Sequence, residues 1–241
     1  MDYLMNFSYD GSKFQGYATQ PHKDTVQDNI EIVLKEIFNE EIKTTGSSRT
    51  DSGVHSLDHY ISFSTPFKID PDRLLKVINK KTHHSIYFNS CIENNKNINP
   101  RYSCKGKVYK YIIAKKYDPF KVDYELFYKD NLDVKKMNEA AQYLIGEHDF
   151  TSFSCSRGGD KNKVRIIKKI TVNENSKNII FEVEGKSFLY NMVRIIVGTL
   201  IDVGRGKIEP AEVKSILEAK SRRKAGVTVP PVGLYLKKMK Y

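Results

Sequence analysis

Ten consecutive residues, Gly46-Ser47-Ser48-Arg49-Thr50-Asp51-Ser52-Gly53-Val54-His55, bring together a carboxylate, a guanidinium, an imidazole and small hydroxyl residues. Glycine and small side chains let backbone approach a ligand closely. An aspartate next to an arginine is suited to stay ionised, to attack an electrophile or to stabilise a developing cation. A Gly-rich loop with arginine also suits phosphate, but the GxxxxGK[ST] pattern of a phosphate-binding loop is absent here. His55 could act as a base; a structural hydrogen bond is the reading favoured for it.

Two further segments carry chemistry. Arg101-Tyr102 is followed by Val108-Tyr109-Lys110-Tyr111. Tyrosines alternating on a strand pack in a core, and next to Lys and Arg they also stack single bases. Tyr109 and Tyr111 fall on the same side of such a strand, so spacing leaves both open. The stretch from Gly185 to Gly198 places Arg194 inside a strongly apolar helix pattern. A buried arginine there needs a carboxylate partner, whereas a surface one would snorkel to water.

The bulk of the chain points to an anionic partner. Its 241 residues suffice for one large domain or two smaller ones, and 39% hydrophobic with 29% charged residues indicates a globular chain. Forty Lys and Arg against 29 Asp and Glu leave a net charge of +11, which favours an anionic partner, nucleic acid first. Cys91, Cys104 and Cys155 form no CxxC pattern, so neither a disulfide framework nor a zinc or other metal site is expected. No signal-type amino terminus and no apolar run of the ~18 residues of a membrane span is seen. The expectation is a cytoplasmic protein with no membrane partner.

The elements that must position these groups follow from periodicity. Residues 3–9 read as a strand ended by an Asp10-Gly11 turn. Thr25 caps a helix reaching Phe38. Strands are expected at 41–45 and 59–64 on either side of the Asp51 loop. Asp70 caps a helix to Asn79 with Pro71 at its first position. The polar stretch 93–100 is the best domain boundary. Beyond it, strands are expected at 107–115, 165–172, 181–184 and 233–237. Helices are expected at 134–145, at 188–203 and around 213–217. The Gly- and charge-rich segment 154–162 reads as a mobile surface loop. Both halves mix strands and helices in similar order, giving two α+β units, 1–104 and 105–241.

Arg49-Thr50-Asp51 and Gly53-Val54-His55 resemble the G-R-T-D-x-G-V-H active-site motif of the TruA-type tRNA pseudouridine synthases, with Ser48 in place of the usual glycine. Phe188-Leu189-Tyr190-Asn191-Met192-Val193-Arg194-Ile195-Ile196-Val197-Gly198 is similar to that family's Arg-bearing motif, although Lys186-Ser187 departs from the residues usual before it. Tyr9-Asp10-Gly11-Ser12-Lys13-Phe14, Thr25-Val26-Gln27, the run from Gly146 to Phe153 and the run from Pro230 to Leu236 extend the likeness over nearly the whole chain.

The resemblance implies an α+β fold of two ferredoxin-like subdomains sharing a mostly antiparallel mixed sheet, with an active-site cleft at its centre. It implies isomerisation of uridine to pseudouridine at positions 38, 39 and 40 of the tRNA anticodon arm, with no cofactor. Asp51 would be the catalytic carboxylate, and Arg194 would pair with it and keep it ionised. Tyr109 would stack on the flipped base, and Arg49 would fill the vacated space or hold the RNA backbone. A homodimer is implied. Alternatives are a divergent paralogue acting on another tRNA or rRNA site, and a non-catalytic RNA-binding protein on the same fold. A glycosidase or nuclease lacks a convincing second carboxylate or metal cluster.

Overall fold

The computed structural model describes residues 1–21, 24–155, 159 and 161–241. It is a mixed α+β fold that divides into two compact units, Met1–Lys105 with Tyr235–Tyr241, and Gly106–Leu234. The second unit was expected to run to residue 241. The terminal segment instead belongs to the first unit, because its strand pairs there.

In the first unit, β1 (Asp2–Tyr9) turns through Gly11–Lys13 into α1 (Val26–Phe38), followed by β2 (Thr45–Gly46), β3 (His55–Ser64), α2 (Pro71–Lys81) and β4 (Ile86–Glu93). This is the βαββαβ order of a ferredoxin-like unit. β1 lies between β3 and β4, antiparallel to both, and β2 borders β3. The terminal strand β10 (Leu234–Lys240) runs parallel to β3, with Tyr235 opposite His55 and Leu236 opposite Ser56.

Alternation on β1 turns Tyr3, Met5, Phe7 and Tyr9 toward a core completed by Val26, Ile30, Leu34, Leu74 and Ile78 of the helices. Both helix starts match their sequence signals. Thr25 accepts from the Asp28 N–H, and Asp70 accepts from the Arg73 N–H. α1 stops at Asn39, which takes a left-handed conformation at φ 54°.

Three elements of this unit differ from expectation. The strand expected at 41–45 shrinks to Thr45–Gly46, because the α1 side chain Glu31 captures the segment before it. The Thr44 N–H and hydroxyl both donate to Glu31 Oε1, at 2.9 and 3.0 Å. β3 begins four residues early, so the Asp51 loop runs straight into it. β4 was not expected, since Asn89 and Ser90 break its apolar alternation.

In the second unit, β5 (Gly106–Ala114) pairs antiparallel with β9 (Asn178–Gly185). β9 pairs with β8 (Val164–Glu174), which in turn pairs with the short edge strand β7 (Gly146–Asp149). β6 (Leu126–Phe127) lies parallel against the end of β5. α3 (Val134–Gln142) packs on β8 and on α4 (Met192–Gly204), and α5 (Glu212–Glu218) follows. α4 was expected from Phe188. It starts at Met192 because Asn191 adopts φ 60°, a conformation asparagine tolerates and a helix does not. Residues 156–158 and 160 of the loop expected at 154–162 lie outside the described residues.

Candidate active site

The Asp51 loop is gripped by the segment that follows β1. The Tyr9 and Thr50 hydroxyls share a buried hydrogen bond of 2.6 Å, and the Tyr17 N–H donates to the Thr50 carbonyl at 3.1 Å. Thr50 is thus held through side chain and backbone, one residue before Asp51. The Val54 N–H returns to the Asp51 carbonyl at 3.1 Å and closes a turn that exposes Ser52. Gly11 packs so tightly on this turn that a Cβ there would stand 1.9 Å from the Val54 carbonyl oxygen. Only glycine fits that crossing.

Two histidines brace the loop from below. The buried His59 donates from Nε2 to the Ser48 carbonyl at 3.0 Å and stacks on Tyr17, with ring centres 4.2 Å apart. Burial raises the Tyr17 phenol above its ordinary range. His55 is buried and stacks on Tyr235 of β10 at 4.6 Å. Its Nδ1 accepts from the Gly11 N–H at 3.1 Å and lies 3.2 Å from Asp10 Oδ1. The imidazole is therefore a brace between three chain segments, in keeping with the structural role favoured for it.

On this base Arg49 is exposed, Asp51 is half-buried and Thr50 between them is buried. The loop presents a carboxylate and a guanidinium outward from a support that cannot easily shift. That arrangement suits a carboxylate that must meet a ligand at a fixed place, with a cation free to reach along an anionic chain.

The second unit carries Tyr109 and Arg194. Tyr109 on β5 is nearly buried and meets Phe188 edge-on, with centroids 5.2 Å apart. Tyr111, on the same face, is a different kind of residue. It is fully buried, and its hydroxyl donates to the Pro230 carbonyl at 2.7 Å. Burial raises the Tyr111 phenol, and the nearby Arg194 charge partly offsets this. Tyr111 is thus a core residue tied to the 229–230 segment, while Tyr109 meets Phe188.

Arg194 is half-buried in the first turn of α4. Its Nε donates to the Val229 carbonyl at 2.7 Å, and its Nη1 donates to Asn191 Oδ1 at 2.8 Å. The guanidinium plane is fixed by these two bonds. Residues 225–230 form a strap across α4 that sequence reading missed. The Gly226 N–H donates to the Thr199 hydroxyl at 2.9 Å, and Arg222 reaches the carbonyls of Ala225 and Gly226. A Cβ at Gly198 would lie 2.0 Å from the Val227 carbonyl oxygen. Gly226 beside Pro230-Pro231 was the available signal for a non-helical strap.

The structure thus brings Arg49 and Asp51 together on one loop of the first unit, and it places Tyr109 and Arg194 in the second. Among the described residues no group of His, Cys, Asp and Glu is arranged to hold a metal ion.

Comparison with known proteins gives one consistent likeness. A family model described as tRNA pseudouridine synthase matches residues 5–103 and 140–241. A protein of Exiguobacterium sp. named tRNA pseudouridine synthase A is 41% identical over 234 residues, covering 97% of this chain and 95% of its own. The Bacillus subtilis (strain 168) protein of the same name is 42% identical over 233 residues, covering 95% and 94%. Among solved structures, an H/ACA ribonucleoprotein bound to a substrate RNA containing 2′-deoxyuridine matches with a TM-score of 0.38 and 12% identity. That match covers 83% of this chain and 53% of the other.

Proposed function

This chain belongs to the tRNA pseudouridine synthase family, and from that premise we propose that Asp51 is its catalytic carboxylate, acting on uridines 38, 39 and 40 of the tRNA anticodon arm. The enzyme is an isomerase that converts uridine in tRNA to pseudouridine. The observation that carries the site is the Arg49-Thr50-Asp51 loop, whose middle residue is locked by the buried Tyr9–Thr50 pair while its neighbours face outward.

The reaction breaks the bond between uracil N1 and ribose C1′, turns the base and joins C5 to C1′. The C5 proton is then lost. N1, freed from C1′, takes up a proton, so the product is an isomer of the substrate with no electrons exchanged, and the chemistry calls on no cofactor. Asp51 can serve by attacking C1′, by adding to C6 of the base, or by taking a proton as a glycal forms. In each case it must be ionised and correctly aimed. Arg194 supplies the paired charge, its plane set by Val229 and Asn191.

A stacked uridine is out of reach, so it must leave the helix at a cost of a few kcal/mol. Arg49, exposed beside Asp51, fills the vacated space or holds the backbone there. Tyr109 stacks on the flipped uracil, with Phe188 steadying its ring. Exposed lysines and arginines grip phosphates. The working form is a homodimer in the cytoplasm.

Tritium release from tRNA labelled as [5-³H]uridine reports C5–C1′ bond formation directly. Wild type releases tritium, whereas Asp51→Ala releases none and still binds tRNA with nearly unchanged affinity. Release by Asp51→Ala at the wild-type rate would remove Asp51 from the mechanism. Tight binding without release by the wild type would point to another RNA target or to a binding protein.

A further inference from the structure

Ser221-Arg222-Arg223-Lys224 is a short basic run in a chain of net charge +11, and each of its cations invites the same reading, a contact to phosphate. The structure separates them. Arg223 and Lys224 are exposed, whereas Arg222 is half-buried. Its Nη1 donates to the carbonyls of Ala225 and Gly226 at 3.2 and 2.8 Å, and its Nη2 donates to the Thr228 hydroxyl at 3.0 Å. One guanidinium thus ties three of the residues that make up the strap across α4.

Both sides of this tie are anchored. Lys220 takes φ 46°, which turns the backbone out of α5, and its Nζ lies 3.1 Å from Asp149. The Ser221 N–H donates to the buried Ser152 hydroxyl at 2.8 Å, and that hydroxyl donates to the Ile216 carbonyl at 2.6 Å. On the α4 side, Thr199 accepts from the Gly226 N–H and passes its own hydroxyl proton to the Ile195 carbonyl at 2.8 Å. Between these points Val227 is 69% exposed, so packing contributes little to the middle of the strap. The next residue after the three tied ones is Val229, whose carbonyl receives Arg194 Nε.

We propose that Arg222 is a positioning residue for the isomerisation: it fixes residues 225–228, which aim the Val229 carbonyl, which in turn sets the plane of Arg194. This rests on the reading of Arg194 as the cation paired with Asp51. Charge-assisted bonds are the stronger kind, and the planar fork of arginine serves several acceptors at once, where a lysine ammonium is a point charge on a flexible stem. With both terminal nitrogens engaged inside the chain, Arg222 serves the rate and not the grip on RNA.

Single-turnover tritium release at saturating tRNA, followed over hours, tests this together with the Kd for tRNA across a salt series. Arg222→Ala is expected to lower the rate at least about tenfold. Its Kd stays within about twofold of wild type, and its plot of log affinity against log salt keeps the wild-type slope. Arg223→Ala combined with Lys224→Ala makes that slope shallower by about one to two. Arg222→Lys keeps the charge and loses the fork, so its rate falls between; circular dichroism verifies folding, and this variant replaces Arg222→Ala throughout if the latter does not fold. The sharpest readout is non-additivity. Arg194→Lys keeps a cation but lacks the Nε that bonds Val229, so adding Arg222→Ala to it is expected to slow turnover little further. Losses that multiply would show that Arg222 acts by packing alone and would overturn the proposal. A wild-type rate in Arg222→Ala, or a shallower salt slope, would overturn it too. Wild-type turnover by Arg194→Ala would instead remove the pairing of Arg194 with Asp51 on which the proposal rests.

Discussion

The Tyr9–Thr50 hydroxyl pair lies one residue from the carboxylate and takes no part in the chemistry itself. Tyr9→Phe removes a single oxygen and strands the Thr50 hydroxyl, at a cost of about 1–2 kcal/mol. The expected result is a kcat for tritium release lowered roughly tenfold, from a small misplacement of Asp51, with the KM for tRNA unchanged. A variant that lost stability in denaturant titration and kept its kcat would show the pair to be packing alone. At this scale the sequence was legible where chemistry is contiguous. Arg49, Thr50 and Asp51 are neighbours, and their roles follow from their order. It was illegible where partners are distant. Tyr109 and Tyr111 have equal spacing and equal type, and the Pro230 carbonyl that ties the Tyr111 hydroxyl lies 119 residues away.

Elements were legible in proportion to their amphipathicity. α1 and α2 announce themselves by periodic apolar residues and by Thr25 and Asp70 at their caps. β4 and β7 do not, because Asn89 and Ser90 interrupt the apolar alternation of β4 and β7 is the polar run Gly-Glu-His-Asp. The start of α4 was misplaced by four residues because a left-handed asparagine leaves little trace in a hydrophobic pattern. That helix is also where an element-scale test is sharpest. Gly198→Ala drives a methyl group into the Val227 carbonyl and must lift the strap or bend the helix. Overpacking of this kind costs about 2–3 kcal/mol, a fall in Tm of roughly 5–10 °C for a chain this size. Because the strap also carries the Val229 carbonyl that orients Arg194, kcat is expected to fall with it. A Tm and kcat equal to wild type would mean that the strap does not hold the arginine.

For the whole molecule, the +11 charge was legible at once as an anionic-partner signal, and the structure leaves Lys168, Lys169, Arg223, Lys224, Lys237 and Lys238 exposed. Affinity for tRNA is therefore expected to fall steeply with salt. A plot of log affinity against log salt should have a slope of about −3 or steeper, as for four or more phosphate contacts. A flat plot would show that these cations do not meet the RNA. The path of the chain was not legible, since nothing local in Leu234–Lys240 states that its neighbour is β3, some 180 residues earlier in the chain. That path has a consequence for biosynthesis. Residues 235–241 are translated after all of 106–234, yet they supply the strand beside β3 and the ring under His55. While the second unit is being made and folds, the first waits with that stretch of strand edge uncovered, a form that chaperones recognise and that aggregates readily. The Asp51 loop thus lacks the Tyr235 ring that stacks on His55 until residues 235–241 have been made.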